Sequence, residues 1–168
     1  MTERASGRLA GRSAMVTLKA WHAALVGSFL VAYLTAGEDH FAMHQFAGYG
    51  VLAIVAARLA LGLAAGKRSP LRLPRPLAAW RRWRAGAGGR NPGFAVFAAI
   101  LLAAIGLAAL SGAVADFVPR LEHPHEAIAE VSPWLIGSHV AFVVYMYWGR
   151  ARLASLLSPL GARKRSLS

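Results

Sequence analysis

The chain has 168 residues, of which 57% are hydrophobic and only 15% are charged, and it contains no cysteine. A soluble domain carries about 25% charged residues, so this composition argues against a soluble globular protein and favours a membrane protein. The lack of cysteine excludes disulfides and thiolate metal sites. A net charge of +12 would suggest nucleic-acid binding in a soluble protein, but here the charge is distributed in a way that gives it another meaning.

Four apolar stretches have the length of membrane-spanning helices. A hydrocarbon core about 30 Å thick takes roughly 20 helical residues. We therefore predict an all-α membrane protein of one domain, an up-down bundle of four transmembrane helices. The expected helices cover residues 15–37, 44–65, 93–112 and 126–148, with a basic loop at 66–92 and flexible tails at 1–14 and 150–168. The first stretch lacks a cleavage-site pattern, so we expect a retained helix rather than a signal peptide.

Basic residues mark one side of this topology. All 19 lysines and arginines except Arg58 and Arg120 fall before the strictly apolar part of the first span, which begins at about Ala20, between the second and third spans, or after the fourth. All seven acidic residues except Glu3 lie in or beside the two opposite connections. The positive-inside rule then predicts that both termini and the loop at 66–92 are cytoplasmic. The positive charge is thus explained by topology and by contact with membrane lipid, and we expect no nucleic-acid partner.

The first two spans each carry a histidine. His22 lies one to two turns inside the first span, next to Trp21, a residue typical of the membrane interface. His44 opens the second span at the opposite face, and Arg58 follows on the same helical face about 21 Å deeper. A charge at that depth either points into the bundle with a partner or snorkels to the interface. The sequence leaves both interpretations of Arg58 open.

The loop between the second and third spans contains an aromatic and basic run, LAAWRRWR. This run fits a short amphipathic piece on the membrane surface. A specific partner surface is the alternative, although an ordinary lipid-facing loop is the simpler interpretation. The third span has no histidine and no charge. Its alanines and glycines indicate a packing helix that allows close approach of a neighbour or of a flat ligand.

The fourth span carries His125 and His139, fourteen residues apart in the sequence. On an α-helix these two side chains share one face and lie about 21 Å apart. His123 is the alternative to His125, but Pro124 between them makes His125 the better first residue of the helix. We expect His40 and His123 to be solvent-side histidines, with a contact to a quinone, a propionate or a partner as the alternative.

The four span histidines form two pairs by depth. His44 and His125 lie at the outer mouths of their spans, whereas His22 and His139 each lie about 9 Å from the cytoplasmic edge of the core. Zinc or copper would need further ligands that the apolar core lacks. Two facing imidazoles instead fill both axial positions of haem iron in a bundle interior. Because no C-x-x-C-H motif is present, the haem is expected to be non-covalent and b-type.

Other residues near the histidines fit this hypothesis. Gly48 and Gly50, about one turn from His44, leave room for a porphyrin, and Arg58 can pair with a propionate of the inner haem. Two axial histidines leave no open position on the iron, which favours electron transfer. Taken singly, a histidine such as His22 or His44 is more often an interfacial polar residue than a ligand.

The chain resembles the prokaryotic cytochrome b561 family, which includes the cytochrome b subunits of nickel–iron hydrogenases and formate dehydrogenases and small dihaem cytochromes. The matching pieces are Trp21-His22, HQFAGYGVLAIVAARLALGL from His44, GRNP before the third span, and HE…GSH from His125 to His139. The resemblance implies that His22 and His139 bind one haem and that His44 and His125 bind the other. It also implies electron traffic between a quinone pool and a redox partner. Many relatives have a histidine in place of Arg90, which leaves the subgroup open.

We therefore expect a dihaem electron-transfer protein of the bacterial inner membrane. Its partners would be a quinone and a periplasmic redox protein or cytochrome c, and the sequence leaves open a homo-oligomer or a subunit of a larger complex. One alternative is a superoxide:quinone oxidoreductase, since some relatives oxidise superoxide, although the acidic outer connections disfavour an anionic substrate. The other alternative is a haem-free membrane scaffold whose histidines pack between helices.

Overall fold

A computed structural model of the chain describes residues 2–66, 69–149 and 152. Regular structure in these residues is helical throughout. Lys67 and Arg68 of the basic loop lie outside the described residues, and so does the expected tail at 150–168 apart from Arg152.

Five α-helices make up the described chain. Their bounds are Thr2–Leu34 (α1), Phe41–Ala64 (α2), Pro76–Arg84 (α3), Gly93–Ala115 (α4) and Glu122–Val144 (α5). Short 3-10 turns, Glu38–His40 and Pro119–Leu121, precede α2 and α5, and a π-helical turn, Tyr145–Gly149, follows α5. Four helical segments are long and apolar enough to cross a membrane: Gly11–Leu34, Phe41–Ala64, Gly93–Ala115 and Pro119–Gly149. The prediction of an all-α, multi-pass membrane protein is confirmed.

Some helix ends differ from the expected positions. α1 begins at Thr2 instead of near residue 15, because residues 2–14 contain no proline and several strong helix formers. α4 continues to Ala115, three residues beyond the expected end at 112. α5 begins at Glu122 and includes Pro124 in its first turn, where the missing N–H of proline removes no intrahelical hydrogen bond. The amphipathic run of the basic loop forms α3, with Pro76 as its first residue.

The chain divides into two compact units, Met1–Glu130 and Val131–Ser168. The boundary falls inside α5, and the prediction of a single domain stays a prediction. In the first unit α2 is the central helix, with α1 and α4 both packed against it. α3 and the turn at Pro119–Leu121 contact α4.

The buried residues of the first unit lie along one stripe of α2 and the facing part of α4. They recur every three to four residues on α2 and are followed by two on α4: Ala47, Val51, Val55, Arg58, Gly62, Ile105 and Ala108. Many large apolar side chains elsewhere on these helices are exposed, which suits a surface in contact with hydrocarbon. This narrow core aligns α2 with its neighbours. It therefore determines which residues of those neighbours lie beside each end of α2.

Candidate functional site

The structure brings His44 and His125 together. His44 lies in the first turn of α2 and His125 in the first turn of α5. Their ring centroids are 6.1 Å apart and their planes are inclined by 60°. Both side chains are half-buried. The equal depths predicted from the sequence thus correspond to two neighbouring imidazoles.

Each imidazole of this pair is held by a backbone carbonyl through its Nδ1 atom. His44 Nδ1 lies 2.7 Å from the Ala32 oxygen of α1, and His125 Nδ1 lies 3.0 Å from the Ala108 oxygen of α4. The hydroxyl of Ser111 donates to the same Ala108 oxygen. Because a carbonyl oxygen only accepts, Nδ1 carries the proton in both rings, and neutral imidazole then keeps its lone pair on Nε2. A carbonyl on one nitrogen is the usual support of a metal-binding histidine.

The separation of the rings fits one metal ion between them. A metal–imidazole bond is about 2.0 Å long, and ring bonds of about 1.33 Å give the imidazole a radius of about 1.1 Å. For a metal on the line that joins the two ring centroids, those centroids should therefore lie about 6.2 Å apart, which is close to the observed 6.1 Å. Within the described part of the chain, no group of three His, Cys, Asp or Glu side chains is placed to hold a metal. A metal bound by this pair would need its other ligands from a different source, such as the macrocycle of a haem.

Two glycines shape the space around the pair. A Cβ atom on Gly112 of α4 would lie only 2.9 Å from His125 Cε1, so glycine permits the close approach of this ring. A Cβ atom on Gly48, one turn after His44, would meet nothing within 4 Å, which fits the predicted room for a porphyrin. Gly50 instead faces α1, since its nearest neighbour would be Ser28 Oγ at 3.8 Å.

An acidic cap that sequence reasoning missed lies at the same end of the first unit. Asp116, the residue that follows α4, accepts hydrogen bonds from Tyr49 Oη at 2.7 Å and Gln45 Nε2 at 2.9 Å. These bonds, the one from Tyr49 first, lower the pKa of the Asp116 carboxyl, and the nearby His44 and His125 act in the same direction. Gln45 and Tyr49 share a face of α2 at a spacing of four residues, which was a signal for a polar contact but not for its partner.

Arg58 lies at the opposite end of α2 and is only 7% exposed. Its Nη1 donates to the Leu71 oxygen at 2.7 Å and its Nη2 donates to the Arg72 oxygen at 3.3 Å. The guanidinium stands over the Trp21 ring, 5.6 Å from its centroid, and Trp21 Nε1 donates to the Ile54 oxygen at 3.0 Å. Of the two interpretations left open, the structure supports a buried charge with partners. Those partners are loop carbonyls, and the contact with a propionate stays a prediction.

The remaining histidines are placed differently. His22 is exposed on α1 beside Trp21, with ring centroids 6.3 Å apart. His139 is half-buried on the part of α5 that belongs to the second unit, and its pairing with His22 stays a prediction. His40 and His123 are exposed, as the sequence indicated, and His123 Nδ1 lies 3.4 Å from Glu126 Oε2.

Comparisons of the chain with protein-family models, with curated proteins and with solved structures found no match. The resemblance to the cytochrome b561 family therefore stays a prediction that rests on the residues quoted for it. The chemistry of the site follows from its own geometry, in which two supported imidazoles face each other at the end of an apolar bundle.

Proposed function

We propose that this protein is a membrane-bound b-type cytochrome that binds two haems, each through two histidines. It carries electrons across the bacterial inner membrane between a quinone pool and a periplasmic redox partner. The observation that supports this most strongly is the His44–His125 pair, with rings 6.1 Å apart and both Nδ1 atoms held by carbonyls. The spacing suits one axially ligated iron, and the carbonyls leave both Nε2 atoms available to it.

In this proposal the protein supplies orientation and the haem supplies a one-electron iron couple. His44 and His125 would hold the outer haem through Nε2. The Ala32 and Ala108 carbonyls fix the tautomer of each ring and raise the basicity of the ligating nitrogen. Gly112 lets the His125 ring lie against α4. With His44 and His125 both holding the haem, the site would serve electron transfer rather than binding of oxygen.

The inner haem is assigned to His22 and His139 on the basis of their equal depth in the predicted spans. About 21 Å of helix separates His125 from His139, so two haems at these depths would divide the bilayer into two shorter electron-transfer steps. The basic residues of α3 and of the loop around it place this end on the cytoplasmic side under the positive-inside rule.

The acidic cap favours a redox protein over superoxide as the outer reactant. Asp116 is ionised at neutral pH, since hydrogen bonds from Tyr49 and Gln45 lower its pKa. A carboxylate near the outer histidines repels a small anion, whereas a basic face of a redox protein such as cytochrome c would be attracted to it. Electron transfer to a protein partner is therefore the preferred function.

The proposal is tested by an absorption spectrum of the detergent-purified protein, reduced minus oxidised, with haem quantified per chain. Two b-type haems per chain are expected. A single haem would restrict the proposal to one histidine pair. A folded protein without haem would reject the cytochrome function and leave the membrane scaffold as the explanation of the histidines.

A further inference from the structure

An apolar groove runs between α2 and α4 in the first unit. It encloses about 550 Å³ and is open along one side, a volume within the range of ligand pockets. Its walls include Val55 and Leu59 of α2 and Ala103 and Leu110 of α4, and the loop residues Leu73 and Pro74 complete the lining. Because Leu73 packs against Gly62, this loop lies at the C-terminal end of α2. The groove therefore extends from the basic loop along the depth of the helices.

The loop at this end of the groove carries positive charge without acidic residues nearby in the sequence. Pro74 is followed by Arg75, which is exposed at the start of α3, and by the exposed Arg81, Arg82 and Arg84. None of the seven acidic residues of the chain lies between residues 40 and 115. Arg75 immediately precedes α3, and Arg82 lies in the second turn of that helix. A ligand at the end of the groove would thus meet arginines.

α3 also has the aromatic residues of a helix at a membrane surface. Trp80 and Trp83 are exposed on it, with ring centroids 5.6 Å apart, and Arg84 stands over the Trp80 ring at 5.9 Å. Leu77 is 77% exposed. Tryptophan is enriched where hydrocarbon meets the lipid headgroups. This places the arginines of α3 at the depth of lipid phosphates, and the apolar groove below them at the depth of acyl chains.

Arg58 holds the loop and the groove in a fixed relation. Its guanidinium binds the carbonyls of Leu71 and Arg72, and these residues directly precede Leu73 and Pro74 in the groove wall. Because Arg58, which clamps the loop in this way, is buried and belongs to the C-terminal part of α2, the start of α3 has a defined position relative to the groove. The arginines and the apolar walls can therefore act on one molecule.

We propose that this region binds an anionic phospholipid, with one acyl chain in the groove between α2 and α4 and its phosphate at Arg75 and the arginines of α3. Charge complementarity selects this occupant. A neutral or zwitterionic lipid can fill the groove, but it does not supply the net negative charge that the arginines attract. None of the residues assigned to the lipid is one of the four histidines of the proposed function, so the haem spectrum serves as a separate measure of correct folding.

The test titrates the purified holoprotein with phosphatidylglycerol or with phosphatidylcholine of the same acyl chains and follows its melting temperature. Phosphatidylglycerol should give a saturable rise, and phosphatidylcholine should give little at the same concentration. The double variant Arg75→Gln/Arg82→Gln should raise the half-maximal phosphatidylglycerol concentration roughly 25-fold, because each basic residue at an anionic surface contributes about fivefold in affinity. The control Arg12→Gln/Lys19→Gln removes the same charge from exposed positions of α1 and should change it less than about threefold.

A second pair of variants tests the groove. Ala103→Phe places a ring in the groove and should weaken phosphatidylglycerol binding by roughly tenfold or more, since it displaces buried acyl methylenes. Ala98→Phe is the control, because Ala98 is exposed on α4 and does not line the groove. Variants whose haem spectrum and lipid-free melting temperature match those of the parent chain are the ones compared.

Several results would overturn the lipid site. Equal rises in melting temperature with the two lipids would mean that the groove binds acyl chains without selecting the headgroup. Equal shifts in half-maximal concentration for the loop variant and the α1 variant would leave only unspecific charge attraction. A full effect of inorganic phosphate alone, with Ala103→Phe behaving like Ala98→Phe, would assign a free phosphate site. A rise in melting temperature with an isoprenoid quinone but not with phosphatidylglycerol would assign the groove to quinone. A full effect of a duplex oligonucleotide would make the arginines a general polyanion surface.

Discussion

The two ends of α2 use backbone carbonyls for different purposes. At the histidine end (His44 and His125), each ring forms a hydrogen bond to a backbone carbonyl through one nitrogen, and its other nitrogen remains able to bind a ligand. At the arginine end (Arg58 with Trp21), the guanidinium donates hydrogen bonds to two loop carbonyls, and its flat face lies over an indole ring. Both solutions satisfy a polar group inside an apolar helix bundle.

The difference follows from the chemistry of the two side chains. Neutral imidazole has one donor and one acceptor, so a carbonyl that takes the donor leaves a lone pair that can bind a metal. Guanidinium has only donors, so carbonyl partners satisfy it without creating a ligand. His44 and Arg58 are fourteen residues apart on one helical face, yet only the histidine keeps a lone pair with which a side chain can bind a metal. The burial of a polar residue alone does not indicate function. A donor or lone pair that can still bind a ligand does.

Removal of a histidine should have the largest effect. His44→Ala and His125→Ala should each reduce the haem content from two to one per chain and remove the same spectral component, because an axial ligand is lost. His22→Ala and His139→Ala should remove the other component. His123→Ala is the matched control, since it lies two residues from His125 but is 93% exposed, and it should keep both haems. Loss of different components by the His44 and His125 variants would contradict the pairing.

Removal of the arginine clamp should have the next largest effect. Arg58→Met retains much of the volume but leaves the loop carbonyls of Leu71 and Arg72 without their donors. Hydrogen bonds from a charged group contribute about 1.5–3 kcal/mol, so the free energy of unfolding should fall by roughly 2–3 kcal/mol. Denaturant unfolding measures the loss, and faster proteolysis of the loop should accompany it.

Haem content distinguishes two roles of Arg58. If the residue only holds the loop, Arg58→Met keeps both haems while the protein loses stability. If it also pairs with a propionate, the inner component is lost or its potential shifts. Arg120→Met provides the control, because Arg120 is exposed in the turn before α5. A variant at position 58 as stable as this control would contradict the clamp.

Much of the fold and half of the site could be predicted from the sequence, because both depend on helix length. Apolar stretches indicated the four spans, and helix geometry put His44 and His125 at one level, where the structure places their rings together. The amphipathic run after Pro76 indicated α3. These inferences need only the rise and the periodicity of a helix.

The partners of these residues could not be predicted, because backbone oxygens carry no sequence signature. The carbonyls of Ala32 and Ala108 belong to residues whose side chains say nothing about the histidines they hold. Arg58 likewise binds the carbonyls of Leu71 and Arg72. The hydrogen bond between Tyr49 and Asp116 joins residues that are 67 positions apart in the sequence, so it depends on how α2 and α4 align. Such contacts follow from helix packing, which periodicity alone does not determine.

A smaller change at the histidine end tests how tightly the His125 ring is held. In Gly112→Ala the new Cβ atom would lie 2.9 Å from His125 Cε1, so the ring must move and its bond to the Ala108 oxygen must lengthen. Overpacking of this kind costs about 1–3 kcal/mol, and the midpoint potential of the outer haem should shift while that of the inner haem stays. Gly27→Ala is the control, because nothing lies within 4 Å of its added Cβ atom. It should stabilise α1 by about 0.5–1 kcal/mol.

The smallest effect is expected at the acidic cap. The hydrogen bond from Tyr49 is the main cause that lowers the pKa of Asp116 below its ordinary value of 3.8. A lowered pKa in the folded state stabilises the protein above the ordinary value, and this contribution is lost as the pH falls through the lowered one. Tyr49→Phe should therefore be slightly less stable than the parent chain at neutral pH. The difference should shrink as the pH falls below 3.8.

The effect at the cap is small because Asp116 is exposed, so water screens its interactions. Gln45→Leu removes the weaker of the two hydrogen bonds and should show the same pH dependence with a lower amplitude. In an Asp116→Asn background, the pH-dependent part of the Tyr49→Phe effect should vanish, since no carboxyl remains to titrate. Unfolding curves over a pH series measure these differences. A difference that grows as the pH falls would mean that the hydroxyl stabilises the protonated carboxyl instead, and it would contradict the lowered pKa of Asp116.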